Sequence, residues 1–252
     1  MDHAIYTAMG AASQTLEMQS VTASNLANAS TPGFRAQLTA LRAVPVNGDS
    51  LETRTLVTGS TPGADMTPGQ LNYTGRPQDV AVQQDGWLVV QGADGTEGYT
   101  RNGNIQITAA GQLTIQGHPV VGDGGGPLMV PEGAQITIAA DGTISALNQG
   151  DPVNTVSPVG RLKMIKAEGR ELTRGDDGMF RLTAQAQAER GAVLPSDPSL
   201  TLQSGVLEGS NVTPVVAMAD MIDSARRFEM QMKVISSVNE NEQKANQLLS
   251  LS

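Results

Sequence analysis

The sequence predicts an α+β fold that is mostly β, with one long helix at each end of the chain. Near both termini, apolar and small residues recur at alternating spacings of three and four, which is typical of helices that pair. Between them, short β-branched runs alternate with glycine-rich turns about every 8–12 residues. We therefore expect terminal helices paired as a coiled coil, an irregular β linker layer and a central antiparallel β-domain.

The N-terminal helix is predicted to begin at Asp2, whose carboxylate can cap the first backbone N–H groups. It must end before Pro32, since proline and the residue before it disfavour helix and Gly33 follows. The seam that should face a partner helix consists of Ile5, Met9, Ala12, Leu16, Ala23 and Leu26. Its small residues allow close approach of a neighbour, although an ordinary amphipathic helix on its own core is the alternative.

The C-terminal helix is predicted to begin at Thr213-Pro214, an N-cap residue followed by proline at the first helical position. Its pattern continues to Leu251. The predicted seam residues are Met221, Ala225, Phe228, Met232, Ile235 and Leu249. Because helices this long exceed what a small β-core covers, their length favours burial between molecules.

The middle of the chain divides at its turns. We expect a helical domain from residues 1–31 and 213–252, an extended connecting layer from 32–76 and 184–212, and a central β-domain from 77–183. Asn47-Gly48 is a candidate hairpin turn. The predicted strands lie at 80–83, 87–91, 105–108, 112–116, 128–130, 135–139, 143–145, 161–166 and 179–182.

The composition argues against several classes of function, including nucleic-acid binding, membrane insertion and thiol catalysis. The net charge is −9 without a cluster of Lys or Arg, which argues against binding nucleic acid or an anionic membrane surface. No stretch reaches the roughly 20 apolar residues of a membrane span, so no direct membrane insertion is expected. The N-terminal segment lacks a basic region and a continuous apolar core, so we expect no cleaved signal peptide. The chain has no cysteine, which excludes disulfides and thiol catalysis.

No residue pattern predicts a catalytic, cofactor-binding or metal site. His3 falls on the N-terminal helix and His118 in a predicted turn, and neither has the neighbours of a triad or a metal centre. The run GDGGGP at 122–127 lacks the Lys-Ser/Thr and the following helix of a phosphate loop. We therefore expect no enzyme activity and no cofactor.

Three ordered stretches resemble the flagellar rod and hook protein family. SNLANASTPGF at 24–34 is similar to the signature that follows the family's first helix, and YTRNGNIQITAAGQLTIQGHPVVG at 99–122 is similar to its central β-domain. GVLEGSNVTPVVAMADMIDSARRFEMQMKVI at 205–235 is similar to its C-terminal block, which leads into the last helix. Glu208-Gly209 stands where Glu-Thr is commoner in the family. The residues that carry the signature are Asn25, Ala27, Asn28, Thr31, Pro32, Gly33, Phe34, Leu207, Glu208, Ser210, Asn211 and Val212.

The resemblance implies a structural subunit of the basal-body rod, the helical drive shaft that transmits torque to the hook. Its proximal part is the expected location, with a distal rod or other axial subunit as the alternative. The implied partners are further copies and the other rod proteins FlgB, FlgC and FlgG, together with the flagellar type III export apparatus during secretion to the periplasm. A different reading is a periplasmic glycan-binding module in which Trp87 and Tyr99 form a sugar-stacking face, with helical oligomerisation tails.

Overall fold

The computed structural model describes residues 2–45, 55–148, 152 and 156–250. Within these ranges the chain has three α-helices and a short 3-10 helix. The helices are α1 (Asp2–Ala27), α2 (Ala184–Arg190) and α3 (Pro214–Ser250), and the 3-10 helix is Gly169–Glu171. The strands are β1 (Gln37–Pro45), β2 (Thr55–Ala64), β3 (Leu71–Tyr73), β4 (Val80–Val82), β5 (Gly86–Gln91), β6 (Glu97–Thr100), β7 (Gln106–Ile107), β8 (Leu113–Ile115), β9 (His118–Pro119), β10 (Gln135–Ile138), β11 (Thr143–Leu147), β12 (Ser157–Arg161), β13 (Met164–Lys166), β14 (Leu172–Arg174), β15 (Phe180–Leu182), β16 (Leu202–Ser204) and β17 (Val206–Glu208).

The contacts separate the chain into two compact units. The helical unit comprises Met1–Ala29, Gln37–Pro62 and Val212–Ser252, and the β unit comprises Ser30–Ala36 and Gly63–Asn211. The chain therefore crosses between the two units four times, after residues 29, 36, 62 and 211. The division into three sequence domains is untested by this grouping and stays a prediction.

In the helical unit, α1 packs against α3 and against β1. The helices begin and end where the local sequence requires. The carbonyl of Thr213 accepts the first helical bond of α3 from Ala217 at 3.0 Å, with proline in the first turn, where its missing N–H is not needed. Strands β1 and β2 pair as a two-stranded sheet. The hairpin turn predicted at Asn47-Gly48 lies outside the described residues.

The β unit is built on a five-stranded antiparallel sheet in the order β13-β5-β6-β15-β14. Further antiparallel groups are β10-β11-β12 and β7-β8-β9, with the pairs β16-β4 and β17-β3. The class is α+β with several antiparallel sheets, as the sequence predicts. The coiled-coil geometry of the terminal helices stays a prediction.

Alternating side chains on β5 place one apolar cluster on each side of the main sheet. Leu88 and Val90 join the larger cluster, with Ile105, Leu113 and other aliphatic side chains. Trp87 and Val89 point the other way into a second cluster that contains Tyr99 and Phe180. The two clusters form the buried core of the β unit.

Three details differ from the sequence prediction. Residues 184–190 form α2 although the sequence predicts an irregular stretch there, because Thr183 caps the helix through its side chain, which accepts from Ala186 N. Residues 37–45 and 55–64 form two strands of nine and ten residues, whereas the sequence predicts extended strands and loops there without giving their bounds. His118 lies in the short strand β9 instead of a turn, because the turn ends one residue earlier at Gly117, whose φ is +83°.

Candidate assembly surfaces

The less exposed face of α1 differs from the predicted seam at every second position, where the residue one place earlier in the sequence takes the place of the predicted one. Along this face, the residues of reduced exposure are Ile5, Ala8, Ala12, Thr15, Gln19, Thr22 and Leu26. Ile5, Ala12 and Leu26 belong to the predicted seam, while Ala8, Thr15 and Thr22 replace Met9, Leu16 and Ala23. The two buried members, Ala12 and Thr15, are small, which lets a neighbouring helix approach closely, and the larger Met18 and Val21 are half-buried as well.

The inner face of α3 also carries small side chains. Ala217 and Ser224 are buried, and Met221, Ala225, Phe228 and Ile235 are half-buried, whereas Met232 is exposed. Gln231 lies on the inner face and its Oε1 is 3.2 Å from Thr15 Oγ1, which also donates to Ala11 O at 2.9 Å. Leu249 lies in α3, but its side chain is outside the described set.

The displaced large residues of α1 belong to a second, solvent-facing stripe. We call this the outer stripe of α1 and define it by its members, which recur at spacings of three and four: Tyr6, Met9, Ser13, Leu16, Ser20, Ala23 and Ala27. Tyr6 is 62% exposed, Met9 55% and Leu16 49%. A helix with one inward seam and one exposed stripe of large apolar residues has a face for a second neighbour. Met9, Leu16 and Ala23 therefore stay predictions for contacts between molecules.

Helix α3 carries exposed apolar residues in two rows, one on each side of its inner face. Val215, Met218, Ile222 and Met232 lie on one side, and Val216, Met230 and Val234 on the other. All seven side chains are at least 46% exposed. Lone surface apolar residues need no explanation, but repeated rows along a helix are typical of contact surfaces.

The signature residue Asn25 fixes the path of the chain as it leaves α1. Its side-chain amide makes both hydrogen bonds that the backbone of Gln37 offers: Nδ2 donates to Gln37 O at 3.0 Å, and Oδ1 accepts from Gln37 N at 2.9 Å. Asn28 Nδ2 donates to Ser24 O at 2.9 Å and satisfies a carbonyl at the helix end. The two asparagines thus stop α1 and hold the start of β1, while Ala27 beside them is exposed.

In the β unit, the two halves of the signature meet at the chain crossings. Gly33 N donates to Glu208 O at 2.8 Å, and Asn211 N donates to Phe34 O at 3.3 Å. Asn211 Oδ1 accepts from Ala36 N at 2.7 Å, and its Nδ2 donates to Asp65 O at 2.9 Å. Ala36 and Asn211, which are 175 residues apart in the sequence, are therefore hydrogen-bonded neighbours. We call this region the clasp, comprising residues 30–36 and 207–211.

The turn at Thr31-Pro32-Gly33-Phe34 explains why glycine stands in the signature. Gly33 has a φ of +69°, as the third residue of a type II turn requires, with proline before it. A Cβ at Gly33 would also collide with the backbone of Arg101 and Asn102. Phe34 is buried, with the guanidinium of Arg174 4.2 Å from its ring centroid.

A buried charge cluster lies at the centre of the clasp. Glu208 Oε1 is 2.6 Å from Arg35 Nη2, and its Oε2 is 3.2 Å from Arg101 Nε. Gly69 N also donates to Glu208 Oε1 at 3.1 Å. Burial lowers the pKa of Arg101, and the nearby charge of Arg35 lowers it further while Glu208 opposes both effects. Removing any member would leave an uncompensated charge in a dry place.

The remaining signature residues lie close to these contacts. Leu207 pairs with Asn72 in the β17–β3 ladder. Ser210 and Val212 are half-buried beside Asn211. The sequence pattern identified both signature stretches, but it gave no sign that Arg35 and Arg101 converge on Glu208.

The structure rejects a sugar-stacking role for the aromatic pair. Trp87 is 4% exposed and Tyr99 1%, and both belong to the core of the β unit. Trp87 packs at 4.9 Å between ring centroids on Phe180, and its Nε1 donates to Ala167 O at 3.3 Å. Burial raises the pKa of Tyr99 to about 12. The glycan-binding reading therefore loses the residues on which it depends.

Within the described residues, His, Asp and Glu side chains form no cluster that could hold a metal ion. Among the same residues, none of the helices combines the length and apolar character needed to cross a membrane. His118 is half-buried in β9.

Three family models match separate parts of the chain. One described as flagella basal body rod protein matches residues 5–35, one described as the flagellar hook protein FlgE/F/G D1 domain matches 81–146, and one described as flagellar basal body rod FlgEFG protein C-terminal matches 203–248. These ranges fall mainly on α1, the centre of the β unit and α3, respectively.

Curated relatives match the whole chain. The flagellar basal-body rod protein FlgF of Salmonella typhimurium is 79% identical, and that of Escherichia coli K12 is 76% identical, each over all 252 residues and the full length of both proteins. The flagellar basal-body rod protein FlgG of Buchnera aphidicola from Acyrthosiphon pisum is 30% identical, covering 90% of this chain and 92% of that protein.

Proposed function

Because the chain belongs to the FlgF family of flagellar basal-body rod proteins, it is a structural subunit of the flagellar basal body, and we propose that its terminal helices carry its assembly into the rod. Membership in this family supports assembly with other flagellar axial proteins. We further propose which surfaces of the subunit are in contact, its position in the rod and the role of these contacts.

The observation that carries the proposal is the outer stripe of α1. Its large apolar residues face solvent in the single chain, while small residues already satisfy the contact with α3. Burying one such side chain contributes about 1.5–3 kcal/mol. Three large side chains on one stripe therefore offer a substantial driving force for a second helical neighbour. A neighbour on this stripe and others on the exposed rows of α3 would complete a coiled-coil layer.

We place the subunit in the proximal rod, with FlgB, FlgC, FlgG and further copies of itself as neighbours. Non-closing head-to-tail contacts between copies build helical tubes, the geometry that a drive shaft requires. Many shallow helix contacts would share the torque passed toward the hook. Delivery by the flagellar export apparatus, without a cleaved signal peptide, is part of the same proposal.

The assembly surface can be tested by cross-linking, because the chain has no cysteine of its own. Replacing Leu16 by Cys in the outer stripe should give cross-links to other axial proteins in isolated basal bodies, identified by mass spectrometry. The matched control is Val193→Cys, a residue of the β unit that is 57% exposed. Cross-links from position 193 but none from position 16 would contradict the helical assignment.

A further inference from the structure

A cavity of about 170 Å³ lies in the β unit beside the clasp. Arg35, Trp87 and Arg101 line its inner part, and Asp85 and Glu168 also border it. A space of this volume holds on the order of five water-sized groups. The cavity is therefore large enough for a small polar group that enters with a short stem.

Arg35 is a buried residue with more hydrogen-bond donors than partners, and Arg101 Nε in the same cluster also makes no hydrogen bond although it lies 3.2 Å from Glu208 Oε2. The side chain of Arg35 is 1% exposed, and Nη2 is paired with Glu208. Its Nε and Nη1 have no hydrogen-bond partner in the described part of the chain. Buried donors on a charged group are costly to leave unpaired, so these two nitrogens point to an acceptor.

The charged neighbours of Arg35 are already engaged. Glu208 forms ion pairs with Arg35 and Arg101, and its carboxylate accepts a hydrogen bond from Gly69 N. Arg101 is held by backbone carbonyls: Nη1 donates to Val82 O at 3.3 Å and to Gly86 O, and Nη2 donates to Gln84 O at 2.8 Å. Two guanidinium groups thus share a single buried carboxylate, so the buried part of the cluster lacks one negative charge, and the further negative charge near Arg101 is the exposed carboxylate of Asp85.

We propose that this cavity binds a single carboxylate group, which accepts hydrogen bonds from Nε or Nη1 of Arg35. A carboxylate supplies both the acceptor atoms and the missing charge, and its hydrogen bonds to guanidinium are among the stronger ones in proteins. Glu168 is already paired with Arg170 at 2.8 Å, but Asp85 is exposed at the border. Repulsion from Asp85 selects for a singly charged group over phosphate or sulfate.

The carboxylate has two possible sources. One is a free small carboxylate such as acetate. The other is an acidic side chain of a neighbouring subunit, since each copy of the chain has 25 Asp and Glu residues. The inference does not depend on the assembly of the terminal helices, because every residue of the cavity belongs to the β unit.

Nuclear magnetic resonance of the ¹⁵N-labelled full chain tests the cavity directly. Sodium acetate should shift the Nε–H signal of Arg35 and the indole signal of Trp87 with saturation, whereas sodium chloride and sodium sulfate at equal ionic strength should not. Asp85→Asn should tighten acetate binding roughly two- to fivefold, the range that exposed charge pairs give. Asp176→Asn removes an exposed charge from another turn and should leave the affinity unchanged.

Adding unlabelled chain without acetate distinguishes the sources. If the Arg35 signal moves as unlabelled chain is added, and acetate then competes, the carboxylate comes from a neighbouring subunit. If it moves only with acetate, the ligand is a free carboxylate. Signals that respond to neither addition more than to chloride would overturn the inference, while the cross-linking result at Leu16 would be unaffected.

Discussion

At the level of single residues, Glu208 links the segment that follows α1 to the segment that precedes α3. Its carboxylate is buried between Arg35 and Arg101, and its backbone carbonyl accepts from Gly33. A buried ion cluster is weak evidence for net stability, since desolvating the charges offsets much of their attraction. We propose that it contributes to the specificity of the pairing at this site, because each member becomes unfavourable without the others.

We predict that Glu208→Gln lowers the free energy of unfolding of the β unit by about 3–5 kcal/mol, since it leaves two buried guanidinium groups uncompensated. Chemical denaturation followed by Trp87 fluorescence measures this change, because Trp87 lies in the core of the same unit. Glu189→Gln, at an exposed position of α2, is the control and should change the stability by less than about 0.5 kcal/mol. Equal, small effects of the two substitutions would argue against the clasp.

Acid sensitivity should arise in the turns of the β unit. The pKa of Asp197 is lowered from 3.8, first by the hydrogen bond from the Ser199 side chain and next by that from the Ser199 backbone. Asp94 has a lowered pKa for the same reason through Thr96. A carboxyl group with a lower pKa in the folded chain stabilises it fully above the unfolded value, and that stabilisation is lost as the pH falls through the folded value.

Stability should therefore decrease as the pH falls below about 4, where unfolded aspartates begin to take up protons. Ser199→Ala removes the 2.6 Å bond from Ser199 Oγ to Asp197 Oδ1, so the pKa of Asp197 should rise toward its ordinary value. Carboxyl ¹³C resonances followed through an acid titration measure this shift. An unchanged pKa for Asp197 in the variant would contradict the assigned cause.

At the scale of elements, the terminal helices show what sequence reasoning can and cannot supply. Pro32 and Thr213-Pro214 marked the helix ends correctly, because proline constrains the backbone whatever the tertiary surroundings. In the single chain Met9, Leu16 and Ala23 of the predicted α1 seam are exposed, whereas Ala8, Thr15 and Thr22 are less exposed. The predicted seam residues therefore stay predictions for contacts between molecules.

The other differences also have physical reasons. Helix α2 has the sequence AQAQAER, whose small and polar residues show no apolar periodicity. Its local signals in the sequence are the N-cap Thr183 and the C-cap Gly191. The clasp depends on pairing across more than 100 residues, and a local pattern has no information about such pairs. The predicted strands overlap β4, β5, β7, β8, β10, β11, β13 and β15, because alternation and Asp-Gly turns are local properties. The strand predicted at 128–130 is only an isolated bridge at Met129, and β3, β6, β9, β14, β16, β17 and all but the last residue of β12 lie outside the predicted strands.

We predict that Leu16→Asp, in the outer stripe of α1, blocks incorporation into the rod without unfolding the chain. The side chain is 49% exposed, so the substitution should change the stability of the subunit little while placing a charge in an apolar contact. Swimming in soft agar and the amount of subunit in purified basal bodies measure the effect. Val193→Asp is the matched control for an added charge, and a defect of similar size in both variants would count against the stripe.

At the scale of the whole molecule, the chain dedicates its two ends to one unit and its middle to another. The β unit has two apolar clusters of its own, which supply the core that its folding requires. The helical unit keeps large apolar side chains in solvent on both long helices. This distribution supports our proposal that the helices of neighbouring subunits pack on one another in the rod.

The central claim is that this chain is a structural part of the proximal rod. Electron microscopy of basal bodies from a strain that lacks it, with swimming recorded in parallel, tests the claim most directly. We expect non-motile cells whose rods end near the inner membrane, restored by the intact chain. Full-length rods and normal swimming in the absence of the chain would contradict the account.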